Sequence, residues 1–318
     1  MTHNPRVRQL LAALACALCL TCCVFCSISC DSRPPQSGHP APAQAASTAP
    51  STQHEITVAS LSPAATDLIV GMGAGDHLVA VSNFDIDRPQ VPRLPRGGDY
   101  QNTDWERLAD LRPSIIIVQI DPTRLPAGFN DRACEIGAAI IDIQIEKLAD
   151  IDRTLDQLGS ALNETEKATA ARKQLNMRLD LVRLSVSNQP PVATLLALDD
   201  RGSSAVGPGT YLDEILTIAG GKNVLEGTQA HWPSIDRERL LALAPDAVVE
   251  LLPSASPQVL QQATAFWAAV ADVPAVAHQR TYQITDPWVV TPGVEVSDLA
   301  EHLARLLHPA SAATMEAK

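Results

Sequence analysis

Aromatic side chains are scarce: Phe, Trp and Tyr make up 3% of the 318 residues. The core must therefore rest on aliphatic packing, and an aromatic in a polar loop is informative. Positive charge is scarce too. Lys and Arg number 24 against 36 Asp and Glu, for a net charge of −12. That excludes nucleic acid as partner, because phosphate binding needs a basic face. Cysteine nearly vanishes after Cys30, with Cys134 standing alone, so the body can build neither a disulfide framework nor a cysteine-based zinc site. No G-x-S-x-G elbow, H-E-x-x-H helix or phosphate loop occurs. The expectation is a protein that is not an enzyme. The alternative from another class is a cell-surface hydrolase on an α/β body, distinguished by turnover.

What is present begins with an apolar leader. Arg6 and Arg8 precede a run from Leu10 to Ile28 of mostly Ala, Leu, Cys, Val and Phe, ending at Ser29-Cys30-Asp31. This resembles a bacterial lipoprotein signal, in which the cysteine, here Cys30, is lipidated and becomes the new N-terminus. Residues 1–30 are read as the leader. Residues 31–54, rich in Pro, Ala, Ser, Gln and Thr, are read as a disordered tether. A plain secretory signal and an uncleaved anchor are the other readings of the same run, and all three export the body. The expected location is periplasmic or cell-surface, held to the membrane by a lipid anchor only.

The body contains a repeat. Asp104-Trp-Glu-Arg-Leu-Ala-Asp-Leu-Arg-Pro113 followed by Ile115–Val118 returns as Asp236-Arg-Glu-Arg-Leu-Leu-Ala-Leu-Ala-Pro245 followed by Ala247–Glu250. Each Asp reads as an N-cap, each Leu pair as an inward face, each Pro as a stop, and each apolar run as a buried strand. Upstream, Ile56–Ser60 and Val192–Leu198 read as strands, followed by helices opening at Ser62-Pro63 and at Tyr211. Each half thus reads strand, helix, strand, helix, strand. The fold class is α/β: two similar lobes with mainly parallel sheets, joined by one long rigid helix. The N-terminal lobe is assigned to 55–162, the connecting helix to 163–188, the C-terminal lobe to 189–308 and a tail to 309–318. The connecting helix starts at an Asn163-x-x-Glu166 box, carries Ala168, Ala171, Leu175, Leu179, Val182 and Val186 on one face, and spans about 36 Å at 1.5 Å per residue.

These residues resemble the substrate-binding proteins of ABC importers for cobalamin, ferric siderophores and haem. The resemblance covers about residues 55–308. It rests on Leu61-Ser-Pro-Ala-Ala-Thr-Asp67, the two Asp-x-Glu-Arg-Leu helices, Ala219-Gly-Gly-Lys-Asn-Val224 and Trp232-Pro233. It implies a monomer with ligand held between the lobes, no covalent cofactor, and a metal chelate as ligand, with a corrinoid such as cobalamin favoured over a ferric siderophore or haem. It implies ligand-binding roles for Ser62, Phe84, Tyr100, His231, Trp232, Asp286 and Trp288. It also implies that Glu106 and Glu238 dock on an ABC permease dimer served by ATPase subunits. Where the class carries an aromatic after the third strand of the first lobe, this chain has Gln119-Ile120-Asp121.

The residues themselves leave some roles open. Tyr100, Trp232 and Trp288 sit in polar loops on the carboxyl side of strand segments, where open α/β sheets take ligands. Trp105, just inside its helix, reads as a packing residue. Glu106 and Glu238 are equally explained by the helix dipole. Of the histidines in the body, His77 follows a helix C-cap, His302 and His308 fall in the last helix, and His278 is given no role. His231 is the loop histidine near the supposed pocket, as a polar contact or an axial ligand. No converging ligand set for a bare ion is read from the sequence.

Overall fold

The computed structural model describes residues 55–85 and 93–312. The leader, Cys30 and the tether lie outside them. Eight strands form two four-stranded sheets, and every pairing is parallel. β1 (Val58–Ser60), β2 (Leu78–Ala80), β3 (Ile115–Val118) and β4 (Ala139–Asp142) give the order β2-β1-β3-β4. β5 (Val192–Ala197), β6 (Gly221–Asn223), β7 (Ala247–Leu251) and β8 (Thr281–Ile284) give β6-β5-β7-β8, the same topology again. Each sheet thus holds one strand more than the sequence pattern reveals.

Helices fill the crossovers. They are α1 (Pro63–Gly71), α2 (Trp105–Leu111), α3 (Phe129–Glu135) and α4 (Leu148–Ala161) in the first lobe, then α5 (Thr165–Val186) between the lobes. α6 (Tyr211–Ile218), α7 (Arg237–Leu243), α8 (Pro257–Ala268), α9 (Pro274–Ala277) and α10 (Val296–Leu307) follow. Residues 309–312 of the assigned tail form a short α11 (Pro309–Ala312).

Side chains alternate across a strand, so one run feeds two cores. Ile115 and Ile117 join the main apolar layer, while Ile116 and Val118 point to the other face with Leu108 and Phe129. In β7, Val249 and Leu251 join the main layer, and Val248 faces Leu240 and Trp267. The main layer runs without interruption from one sheet to the other. It takes in Leu68 and Ile69 of α1, Leu155 and Leu158 of α4, Leu175, Leu179 and Val182 of α5, Ile215 of α6 and Leu299 of α10. α5 is therefore embedded in a shared core, and each Leu it buries contributes on the order of 2 kcal/mol. Arg178 on α5 adds an ionic tie, with Nη2 at 2.7 Å from Asp298 Oδ1 and 2.8 Å from Glu301 Oε1.

The repeat folds as its caps dictate. Asp104 accepts from Arg107 N at 2.9 Å and Asp236 from Arg239 N at 2.7 Å. Both helices stop one residue before proline, on Arg112 (φ 46°) and Ala244 (φ 42°) in the left-handed region. A residue preceding proline is disfavoured in the helix, and each here closes its helix as a left-handed C-cap with its N–H on Leu108 O or Leu240 O, an uncommon conformation for a non-glycine residue.

The expected start of α5 is corrected. Asn163 has φ 60°, and the helix begins at Thr165 with Glu164 as N-cap, without a side-chain capping bond. Asn tolerates left-handed backbone, so it serves the turn that ends α4. Glu164 instead receives Lys167 Nζ at 2.8 Å and faces His77 Nε2 at 3.3 Å. The helical span is Thr165–Val186, shorter than the assigned 163–188. His308 caps α10 from just beyond its last residue and meets Gly220 O at 3.1 Å.

The lobes also meet polar group to polar group. Asp67 on α1 is buried and accepts from Val294 N at 2.9 Å, ahead of α10. Asp67→Ala would leave that amide unsatisfied, and we expect a loss of about 1–3 kcal/mol in urea unfolding. Asp67→Asn, which keeps an acceptor, should lose less; equal losses would mean the bond contributes nothing.

Candidate functional site

The carboxyl ends of both sheets carry the candidate residues, and local hydrogen bonds explain how each is presented. After β2, the Ser82 hydroxyl accepts from Phe84 N and Asp85 N, both at 3.1 Å, and Asp85 Oδ2 accepts from Ser82 N at 2.7 Å. This reciprocal turn holds Phe84 at its tip, 67% exposed. Burial pushes the Asp85 carboxyl above its ordinary range, against the pull of the Ser82 contacts. Arg96 Nη1 donates to the Ser82 and Asp85 carbonyls at 2.8 and 2.7 Å and pins the turn.

The loop ahead of α2 presents Tyr100. Asp99 Oδ1 accepts from Gln101 N at 2.8 Å and Asn102 N at 3.0 Å, and Thr103 Oγ1 donates to Asp99 O at 2.7 Å. Gly98 makes this possible: at φ 91°, a Cβ there would lie 2.2 Å from Asn102 O. Tyr100 is half-buried against the Leu61 and Leu108 side of the first sheet. A polar recess of about 660 Å³ opens beside the loop, lined by Asn83, Arg96, Asn102, Thr103 and Arg107 among others. Trp105 packs edge-on to Phe129, centroids 4.9 Å apart, under Arg132; this is the packing role its position implies.

In the second lobe the loop 203–209 lies against the loop 230–235. Gly207 N donates to His231 O at 2.8 Å and Ala205 N to Pro233 O at 3.1 Å. A Cβ on Gly207 would sit 2.0 Å from Ala230 O, so glycine permits the approach. His231 and Trp232 ride on this platform, both exposed, Trp232 by 51%. After β8, Asp286 and Trp288 share His302 of α10: Asp286 Oδ2 is 3.8 Å from His302 Nδ1, and the Trp288 and His302 rings are 6.3 Å apart. Trp288 is half-buried against the main layer. Among the described residues, no hydrogen bond, ion pair or ring contact joins Ser62, Phe84 or Tyr100 to His231, Trp232, Asp286 or Trp288. They stand at the carboxyl ends of separate sheets.

Ser62 is buried and is the N-cap of α1; its hydroxyl accepts from Ala65 N at 3.4 Å and donates to Gln119 Oε1 at 2.9 Å. Glu106 and Glu238 are exposed in the first turns of α2 and α7, one on each lobe. No group of three or more His, Cys, Asp or Glu able to hold a metal ion occurs among the described residues, and no described helix is long and apolar enough to cross a membrane.

One group escapes sequence reasoning. Glu250, near the carboxyl end of β7, is 1% exposed. Gln283 Nε2 donates to its Oε2 at 3.0 Å, while Oε1 and Trp267 Nε1 are buried with no partner in good hydrogen-bonding geometry. The only signal was an acid ending an apolar run. Burial pushes its carboxyl up; the nearby Trp267 indole and Gln283 pull it down, and the charges of Asp200 and Asp199 push it further up.

Two parallel α/β sheets in tandem, bridged by a helix and bearing polar and aromatic loops at their carboxyl edges, define a two-lobed solute-binding protein. The chain belongs to the periplasmic binding protein family, whose model matches residues 58–287. It is similar to the vitamin B12-binding protein of Vibrio vulnificus strain YJ016, 24% identical over 253 residues, covering 78% of this chain and 90% of that one. The solved periplasmic vitamin B12-binding protein of Vibrio cholerae shares the fold with TM-score 0.66 and 23% identity, over 80% of this chain and 97% of that one. A periplasmic haem-binding protein from Pseudomonas aeruginosa shares it with TM-score 0.68 and 23% identity, over 80% and 93%.

The buried carboxyl carries a pH signature. A carboxyl whose folded value exceeds its unfolded one binds more protons when folded. Its contribution is full below the unfolded value, about 4.3, and is lost as pH rises through the raised value. Glu250→Gln should therefore raise the melting temperature near neutral pH and change it little near pH 4; an equal change at both would show that the Glu250 carboxyl is not raised by folding.

Proposed function

We propose that this protein captures a metal chelate between its lobes, a corrinoid such as cobalamin before a ferric siderophore or haem, and hands it to an ABC permease with its ATPase subunits. The observation that carries the reading is that the carboxyl edge of each sheet bears aromatic groups that are not fully buried: Phe84 and Tyr100 from one sheet, Trp232 and Trp288 from the other. Flat macrocycles are held well by aromatic faces, which bury much area at little entropic cost. His231 and Asp286 supply polar contacts to the ligand rim, whereas Ser62, expected there from the resemblance, is buried as the cap of α1 and does not reach it. The protein works as a monomer tethered through lipidated Cys30. Lobes 55–162 and 189–308 move little against each other because the 163–188 segment is packed on both. The test is titration of the protein with cyanocobalamin, haemin and a ferric hydroxamate, read by absorption and by mass spectrometry of the recovered ligand. Binding of none refutes the reading, and a chemically altered ligand would favour the hydrolase.

Trp232→Ala should weaken chelate binding by about 1–3 kcal/mol, the range for losing an aromatic anchor, with the melting temperature of the free protein unchanged, since its ring is exposed. Tyr100→Ala should weaken binding similarly but also lower stability, since part of its ring packs on the core. Calorimetry on both variants separates the effects; normal binding by both removes them from the site.

Glu106→Ala with Glu238→Ala should leave chelate affinity intact and sharply reduce uptake in a reconstituted transporter. Truncating one member of a desolvated charge pair costs about 2–5 kcal/mol, whereas losing the dipole contribution costs at most about 1 kcal/mol of stability. Unimpaired uptake would confine these acids to helix capping.

A further inference from the structure

The hydroxyl bookkeeping at the floor of the first lobe fixes one side chain's orientation. Ser62 Oγ accepts from Ala65 N, and the single proton it carries has one acceptor in reach among the described residues, the Gln119 side chain at 2.9 Å. The Gln119 atom facing Ser62 is therefore the carbonyl oxygen, because the amide nitrogen cannot accept a proton. That turns the Gln119 NH2 away from Ser62. It has no hydrogen-bond partner among the described residues, and the side chain is half-exposed at the carboxyl end of β3, an inner strand of the sheet. Ser62 is itself 2% exposed and locked as the cap of α1, so the amide is held by a rigid element.

We infer that Gln119 is a specificity-determining contact: its oriented NH2 donates to an oxygen acceptor on the rim of the bound chelate, with Ser62 as the positioning residue behind it. The inference rests on the chelate-binding reading above. The acceptor favoured is the carbonyl of a neutral amide. The carboxyl end of the second sheet carries Asp199 and Asp200, whose charges are felt by buried Glu250, with the exposed Arg201 beside them. A ligand rimmed with carboxylates would be repelled there, whereas an amide can donate to those acids and accept from Gln119. An amide-rimmed corrinoid fits this chemistry and a propionate-bearing haem does not.

The experiment measures affinity for cyanocobalamin and haemin in the wild-type protein, Gln119→Leu, Gln119→Glu and Ser62→Ala, with melting temperatures alongside. Wild-type protein should prefer cyanocobalamin. Gln119→Leu should bind it about tenfold more weakly, and Gln119→Glu about a hundredfold, because a carboxylate would face the ligand oxygen. Affinity of Gln119→Glu should recover on acidification, as the protonated carboxyl becomes a donor, while the wild type shows no such gain; a merely structural role would not produce this. Ser62→Ala, which lets the amide turn, should cost a few-fold in the folded fraction. Wild-type binding of cyanocobalamin with Gln119→Glu unchanged overturns this inference alone. A wild type that prefers haemin overturns the amide assignment, and one that binds neither these nor a ferric hydroxamate overturns the underlying reading with it.

Discussion

The arrangement depends on one continuous apolar layer. A protein made of two duplicated sheets could hold each around its own core and join them by a flexible segment. Here α5 buries Leu175, Leu179 and Val182 in a layer that also contains Ile115 and Ile117 of one sheet and Val249 and Leu251 of the other. Because this layer is close-packed, sliding one lobe over the other would open voids on both sides of α5. The Arg178 fork to Asp298 and Glu301 and the Asp67 bond to Val294 fix the register of that packing without supplying most of its energy. The shared core opposes large hinge closure, and the loops at the carboxyl edges are held in place by their own bonds.

The loops are in place because each is locked by its own short-range bonds. Asp85 with Ser82, Asp99 with Gln101 and Asn102, and the Gly207–His231 contact hold aromatic tips without burying them. Preorganisation of this kind lowers the ordering cost of binding. The duplicated helices α2 and α7 obey the same local logic, with an aspartate cap at the start and a left-handed residue before proline at the end. Duplication thereby places Glu106 and Glu238 at equivalent points on two lobes, whatever else they meet.

Local features were legible in the sequence and distant ones were not. The caps of α2 and α7, the strands Ile115–Val118 and Ala247–Leu251, and the buried face of α5 follow from residues within a turn or two of each other. The start of α5 was misread because asparagine is as well suited to a left-handed turn as to a cap, and only the end of α4 decides between them. β4 and β8 escape a sequence reading because Ala139–Asp142 and Thr281–Ile284 include polar residues and are only partly buried, unlike the unbroken apolar run of Ile115–Val118. Of the candidate site, the positions of the aromatic loops after the strands could be read. The Ser62–Gln119 bond, across 57 residues, and the shared use of His302 by Asp286 and Trp288 could not, since neither partner signals the other.

The all-parallel pairing also governs how the chain comes to be folded. β1 makes its partners in β3 with the Thr57–Ser114 bonds at its end, 57 residues downstream, and β5 waits for β7 at a similar distance. No strand pairing among the described residues is a hairpin, so loop closure must be met before an inner strand is paired. Such a chain lingers unfolded longer than a helical bundle of equal size. For a member of a periplasmic family, slow folding is compatible with export of a chain not yet folded.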